Sequence, residues 1–155
     1  MPKSGIDHST CPKARVVNCL CSPTELSFTK SLKEALRSKV VVFVKVRVLD
    51  VIDLIDEPDK RRMFFWKSQL AEKHFDYVVC EKTTLKPLLA VELDDDSHFQ
   101  NRAASRDAVK TTASRRASFP LVRIPPGTHD PKLLRQKLIA DYQFIKAGPL
   151  PEALS

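Results

Sequence analysis

The sequence lacks any long apolar run. No stretch approaches the roughly 20 consecutive apolar residues that a membrane-spanning helix needs. Residues 1–10 include a lysine and an aspartate, and no apolar segment follows them, so they do not have the pattern of a secretory signal. We therefore expect a soluble protein located in the cytoplasm.

Cysteine is also scarce, and the spacing of the four cysteines does not fit a structural zinc site. One residue separates Cys19 from Cys21, whereas structural zinc sites pair their ligands as C-x₂₋₄-C. Cys11 and Cys80 complete the set. Reduced thiols are the expected state in a cytosolic chain. The less favoured alternative is a structural zinc that recruits His8 or Cys80 as a missing ligand.

Positive charge is in excess. The 155 residues fit one domain, and they contain 26 Lys and Arg against 19 Asp and Glu, a formal charge of +7 with a pI near 9.4. This charge favours a polyanionic partner such as nucleic acid, through phosphate contacts and counterion release. Many small basic proteins bind no nucleic acid, so the charge alone leaves the partner open.

Capping signals and hydrophobic periodicity predict the order helix, strand, helix, strand, strand, helix, strand, helix. The predicted elements are a helix from Ser22 to about Arg37, a strand over Val40–Val48, a helix over Asp59–Lys73, strands over Phe75–Cys80 and Leu88–Leu93, a helix over Arg102–Ala117, a strand over Phe119–Ile124, and a helix from Asp130 with Leu134, Leu138, Tyr142 and Ile145 as its buried stripe. Residues 1–21 are predicted to form a flexible N-terminal arm, 22–146 the folded domain and 147–155 a C-terminal tail. The fold class is α/β or α+β, with a mixed β-sheet flanked by helices.

The predicted hairpin brings acidic residues together. Glu92 and Asp94 occupy alternate strand positions and therefore share a face. If the hairpin is centred near Thr84, Asp76 lies opposite Glu92. Converging carboxylates repel one another unless a proton or cation compensates, and hard ions such as Mg²⁺ select such oxygen clusters. The alternative is a strand that runs into an acidic solvated turn, although a charge inside the apolar run Leu88–Leu93 argues against it.

Four segments of the chain are similar to segments of a known protein family. They are Phe75-Asp76-Tyr77-Val78-Val79, the run from Leu88 to His98, Arg106-Asp107, and Pro120-Leu121-Val122-Arg123-Ile124-Pro125. Together they resemble an uncharacterised bacterial family related to the very-short-patch-repair endonucleases within the PD-(D/E)XK nuclease superfamily. The resemblance covers about Ser22 to Leu138, and the predicted elements match that superfamily's helix, three strands, helix, strand core. Its most specific part, Glu92-Leu93-Asp94-Asp95 followed by Ser97-His98, is similar to the Glu-x-Asp-Gly-x-x-His signature of the repair-endonuclease-like branch.

The resemblance implies a metal site that holds Mg²⁺ or Mn²⁺ with Asp76, Glu92 and Asp94. Asp94 occupies the place of the usual motif lysine, whose charge stabilises the negative charge that develops on phosphorus. An acidic residue at this place is normal in the repair-endonuclease-like branch, where histidine assists. His98 is therefore the candidate general acid or base. Lys110 is an alternative source of a relocated positive charge.

Several candidates also have a simpler structural explanation. Glu25 matches a helix-one glutamate that approaches the metal site in related nucleases, yet it also completes a capping box with Ser22. A lone histidine after an acidic run, such as His98, can be a surface or capping residue. Arg106 and Asp107 can be a phosphate contact and its structural partner, or a helix-surface pair.

The expected function is metal-dependent hydrolysis of nucleic-acid phosphodiester bonds, with DNA as the expected partner. The basic residues expected to contact the backbone are Lys60 to Arg62, with Arg61 among them, Arg102, Arg106, Lys110 and Arg115-Arg116. No zinc finger or helix-turn-helix is evident, so no base-sequence reading is predicted. The alternatives are an inactive nucleic-acid-binding module that keeps the nuclease fold and an interaction domain unrelated to nucleic acid. Strandedness and oligomeric state stay open.

Overall fold

The elements follow one another in the predicted order. The computed structural model describes residues 12–94, 103–127 and 129–155, and residues 103–107 by their backbone alone. The elements are α1 Pro23–Ala35, β1 Val40–Arg47, α2 Lys60–Leu70, β2 His74–Glu81, β3 Pro87–Leu93, α3 Ala103–Arg116, β4 Leu121–Ile124 and α4 Pro131–Lys146, with short 3₁₀ helices at Val48–Asp50 and Glu152–Leu154. The predicted mixed α+β class, a mixed sheet flanked by helices, is confirmed.

Side-chain caps define where the helices begin. The Ser22 hydroxyl accepts a hydrogen bond from the Glu25 amide at 3.2 Å, and the Glu25 carboxylate accepts one from the Ser22 amide at 2.6 Å, which completes the predicted capping box. Asp59 and Asp130 cap α2 and α4 in the same position, each accepting from two amides of the first turn. The helix starts were therefore readable from local chemistry.

The sheet has the strand order β1-β2-β3-β4. β1 pairs antiparallel with β2, β2 antiparallel with β3, and β3 parallel with β4, so that α3 lies in the crossover connection between the parallel pair. Tyr77 lies opposite Val91. Continued by one residue, this register sets Asp76 opposite Glu92, with the hairpin centred near Thr84 as the sequence predicts.

Helices cover both faces of the sheet. One core cluster joins α1 and α4 to strand residues such as Tyr77 and Val91, and the other joins α2 and α3 to Val78 and Ala90. Tyr77 and Val78 thus enter different clusters, as do Ala90 and Val91, in agreement with the period of a strand. In the described part of the chain, no helix combines the length and apolar character needed to cross a membrane.

Two expectations for the C-terminal region need correction. Leu134, Leu138 and Tyr142 of α4 are buried as predicted, but Ile145 is 38% exposed because it lies in the last turn of the helix, outside the core cluster. Beyond α4, Leu154 is buried, and its carbonyl accepts a 2.7 Å hydrogen bond from the guanidinium of Arg135. The packed core therefore extends past residue 146.

Candidate active site

A row of four charged residues crosses the sheet, one from each strand. The register of the neighbouring pairs sets Lys45 of β1 opposite Asp76 of β2 and Asp76 opposite Glu92 of β3, and Glu92 pairs with Arg123 of β4. Opposite charges in cross-strand pairs attract, whereas the two central carboxylates repel each other. The row therefore places two negative charges side by side between two positive ones.

The backbone is irregular where this row crosses β1 and β2. Lys45 has a φ of 55°, in the left-handed region that costs a non-glycine residue about 1 kcal/mol. Val44 and Val46 pack in different core clusters, although alternate residues of a regular strand share a face, and so do Phe75 and Tyr77. Strained backbone of this kind is retained where the surrounding structure or the function requires it.

Asp76 and Glu92 are linked through each other's strand. The amide of Asp76 donates to Oε1 of Glu92 at 3.3 Å, and the amide of Leu93 donates to Oδ2 of Asp76 at 3.0 Å. Glu92 is 6% exposed. Burial, and then the charge of Asp76, raise the pKa of Glu92 above its ordinary value, although Lys110 opposes the rise. The sequence prediction that these two carboxylates meet agrees with this geometry.

Lys110 reaches the buried carboxylate from the crossover helix. Its Nζ lies 2.5 Å from Oε2 of Glu92 and 3.2 Å from the carbonyl oxygen of His74. Both charged side chains are largely buried, at 13% exposed for Lys110 and 8% for Glu92. Lys110 thus supplies a positive charge inside the acidic site, as the relocated-lysine alternative anticipates, and it is not a freely exposed phosphate contact.

Glu25 forms a second ion pair at the start of α1. The Nζ of Lys45 lies 2.5 Å from Oε1 of Glu25, while Oε2 accepts the capping hydrogen bond from Ser22. Burial raises the pKa of Glu25, but the hydrogen bonds from Lys45 and Ser22 outweigh this effect and lower it overall. The Glu25 hydrogen bond raises the pKa of Lys45, and the charge of Asp76 adds to the rise. Glu25 therefore completes the predicted helix cap and contacts Lys45 of the row, while its predicted place beside a metal ion stays a prediction.

Tyr77 contacts the first turn of α1 from inside the core. Its hydroxyl donates to the carbonyl oxygen of Glu25 at 2.7 Å and accepts from the hydroxyl of Thr29 at 3.4 Å. Burial raises the pKa of Tyr77 to about 12, although the hydrogen bond with Thr29 opposes the rise. This tyrosine thereby anchors the first turn of α1, which holds Glu25, to the centre of the sheet.

Asp94 is not brought into one group with the other two acids. Its carboxylate lies 3.3 Å from Nη1 of Arg123, and Nη2 of the same guanidinium donates to the hydroxyl of Thr111 at 2.9 Å. β3 ends at Leu93, so strand alternation no longer fixes the direction of the next side chain. Among residues 12–94, 103–127 and 129–155, no three His, Cys, Asp or Glu side chains form a group that could hold a metal ion.

The remaining sequence candidates divide by location. His98 and Arg102 lie outside the described residues, as does the side chain of Arg106, and Arg61 is exposed on α2. Lys45 and Arg123 were not predicted as members of the site. The signal that identified Glu92, a charge within an apolar strand, is also present at both of these positions.

The matched family spans most of this architecture. No curated protein and no solved structure matches the chain. The model of a family described as "Protein of unknown function (DUF2726)" matches residues 17–141, which include the row of four charged residues and extend from α1 into α4. The match covers well over half of the sequence, and the chain belongs to this family.

Proposed function

We propose that this protein is a metal-dependent nuclease in which Asp76 and Glu92 are the metal ligands. The observation that carries the proposal is the meeting of these carboxylates in adjacent strands, with the Lys110 ammonium 2.5 Å from Glu92. A buried glutamate beside a half-buried aspartate and a largely buried lysine is a high-energy arrangement in a sheet that serves only as a scaffold. Metal-dependent hydrolysis of a phosphodiester bond can use such a set, because the carboxylates can hold a metal ion and the ammonium can stabilise negative charge on phosphorus.

The donor atoms fit a hard divalent cation. Carboxylate oxygens are the ligands of Mg²⁺, which commonly binds one or two carboxylates and keeps several water molecules. Burial and the charge of Asp76 raise the pKa of Glu92, so a cation between the two acids would relieve the repulsion. When bound, Mg²⁺ or Mn²⁺ would lower the pKa of a water molecule and polarise a phosphoryl oxygen. Two carboxylates with water are the proposed ligands, since Asp94 contacts Arg123.

The superfamily that the chain resembles has a motif lysine at the position of Asp94. In this chain Lys110 provides that positive charge instead. Its ammonium is held by Glu92 and by the carbonyl oxygen of His74, so it needs little reorganisation to face a negative charge that develops on phosphorus. His98 is the proposed general acid or base. Lys45 keeps Glu25 close to the row and adds a second positive charge there.

One observation favours an inactive nucleic-acid-binding module as the second candidate. Lys110 and Lys45 already form ion pairs with Glu92 and Glu25, so two of the acids are compensated without a metal ion. In this function the row would stabilise the sheet, and the basic surface would bind phosphate. Under both candidates nucleic acid, with DNA expected, is the partner and the cytoplasm the compartment.

The test is cleavage by the purified full chain. Supercoiled plasmid, single-stranded DNA and RNA are each incubated with Mg²⁺, Mn²⁺ or EDTA. We expect metal-dependent cleavage that Glu92→Gln lowers by at least about 100-fold, in line with the loss of a group that acts on the transition state. The matched control is Glu34→Gln, which changes an exposed carboxylate on α1 and should cleave like the wild type.

Binding measurements separate the two candidates. Calorimetric titration with Mn²⁺ should give binding to the wild type and none to Glu92→Gln. If the wild type cuts no substrate with any metal, yet binds DNA in a salt-sensitive way that Glu92→Gln leaves unchanged, the nuclease proposal is wrong and the binding module is favoured.

A further inference from the structure

The outward face of α2 carries two phenylalanines. Arg61, Phe64, Phe65 and Ser68 follow one another at the spacing of a single helix face, opposite the face that Leu70 buries. Phe64 is 76% exposed and Phe65 is 55% exposed. Two adjacent exposed rings on a rigid helix form an apolar surface of the kind that marks an interaction site.

The helix that carries these rings is basic. The segment Lys60–Leu70 contains Lys60, Arg61, Arg62 and Lys67 and no acidic residue. Arg62 lies 3.4 Å from Glu57, whereas no described residue forms an ion pair with Lys60, Arg61 or Lys67. The outer face of α2 therefore offers aromatic rings together with three cations that pair with no acidic residue in the described part of the chain.

We propose that this face of α2 is a stacking surface for the unpaired bases of single-stranded nucleic acid. Successive bases would stack on Phe64 and Phe65, while Lys60, Arg61 and Lys67 contact the phosphates. A duplex keeps its base faces stacked inside, so this surface selects single strands or locally opened duplexes. The inference rests on the proposed function only for the class of partner, and it adds the strandedness of the substrate.

The charges beside α2 favour a nucleic-acid strand over a membrane. Asp56 and Glu57, in the segment that precedes α2, and the cap residue Asp59 are acidic and lie next to the basic helix. A flat anionic membrane would meet these carboxylates together with the lysines and arginines, and the repulsion would offset much of the attraction. A single strand is narrow enough to follow the face that holds Phe64 and Phe65.

The only tryptophan of the chain reports on this surface. The ring centroids of Phe65 and Trp66 are 6.2 Å apart in an edge-to-face arrangement, and Trp66 is half-buried. Bases that stack on the neighbouring rings should therefore quench its fluorescence. No label is needed, and the signal arises from the proposed surface itself.

The experiment compares oligothymidylate with a duplex of equal length, titrated into the full chain in EDTA so that no cleavage occurs. We expect tighter binding of the single strand, with quenching of Trp66. Phe64→Ala and Phe65→Ala should each lower its affinity by about tenfold, since stacking on one ring contributes on the order of 1–3 kcal/mol. Binding of the duplex should change less than twofold. Phe144→Ala, which removes an 88% exposed ring from α4, is the matched control.

Three results would overturn the proposal. They are unchanged single-strand affinity in Phe64→Ala and Phe65→Ala, absence of single-strand binding by the wild type, and phenylalanine-dependent binding to phosphatidylserine vesicles without binding to the oligonucleotide. The proposed catalysis is tested independently of this stacking surface. Because these titrations contain no metal, base stacking can be found in a chain that cuts nothing, and Glu92-dependent cleavage can be found in a chain that does not use Phe64.

Discussion

The ammonium of Lys110 lies 2.5 Å from the carboxylate of Glu92 and connects the crossover helix α3 to an interior strand of the sheet. Glu92 is buried, and the neighbouring carboxylate of Asp76 repels its charge. β3 can hold Glu92 at this buried position because Lys110 of α3 forms an ion pair with it. Stability and the proposed chemistry therefore depend on the same pair.

Replacing Lys110 by alanine should destabilise the fold. The change leaves the Glu92 carboxylate buried without its cation, which we expect to cost about 2 kcal/mol of unfolding free energy at pH 7. The measurement is urea denaturation followed by circular dichroism. Metal-dependent cleavage should also fall by about 100-fold or more under conditions in which the variant is folded.

The matched control for this pair is Lys137→Ala. Lys137 lies 2.8 Å from Asp141 on the surface of α4, where an ion pair contributes roughly 0.5 kcal/mol or less. If both lysine variants lose the same small amount of stability, the Lys110–Glu92 pair does not have the importance that its burial implies.

Lys45 should give an unusual order of stability among its variants. At a φ of 55° glycine is unstrained and alanine is not, so Lys45→Gly should be more stable than Lys45→Ala by about 1 kcal/mol. Regular strand positions show the reverse order. Thermal unfolding of the two variants measures the difference. A more stable alanine variant would show that the backbone of residue 45 is regular in solution.

Tyr77 should make stability fall at alkaline pH. Its pKa in the folded protein is raised to about 12 by burial, above the ordinary value of 10, so the stability linked to its neutral hydroxyl is fully present below about pH 10. That stability is lost as the pH rises through the folded pKa. Tyr77→Phe should flatten this fall, and it should cost about 1 kcal/mol at pH 7 through the lost hydrogen bond to Glu25.

Urea denaturation at a series of pH values from 7 to the alkaline range checks the prediction. Thr29→Val is a companion variant that keeps the Tyr77 hydroxyl and removes the Thr29 hydroxyl, which donates to Tyr77 and to the carbonyl oxygen of Glu25. An unchanged alkaline slope in Tyr77→Phe would mean that other groups control the loss of stability.

The C-terminal turn should be part of the cooperative unit. Leu154 is 2% exposed and packs in the cluster that holds α1 and α4 together, so Leu154→Ala should cost about 2–4 kcal/mol. Leu133→Ala, at a 66% exposed position of α4, should change the unfolding free energy by less than about 0.5 kcal/mol. Equal stability of the two variants would mean that the turn is not docked in solution.

The local part of this fold could be predicted from the sequence. Helix starts could be predicted at Ser22, Asp59 and Asp130, because a capping residue and the first turn that it caps are adjacent in the chain. The register that sets Asp76 opposite Glu92 could also be predicted from the sequence, because a short turn and the alternation of apolar residues constrain a hairpin strongly. Both kinds of signal extend over only a few residues.

Only the tertiary structure decided how the acidic residues are compensated. Lys110 and Glu92 are 18 residues apart in sequence, Lys45 and Glu25 are 20 apart, and Asp94 and Arg123 are 29 apart. Periodicity assigns a side chain to a face of its element, but the element that covers this face is chosen by the packing of the whole sheet. For the same reason the exposure of Phe64 and the burial of Leu154 followed from the three-dimensional arrangement, whereas the meeting of Asp76 with Glu92 was already determined by the sequence.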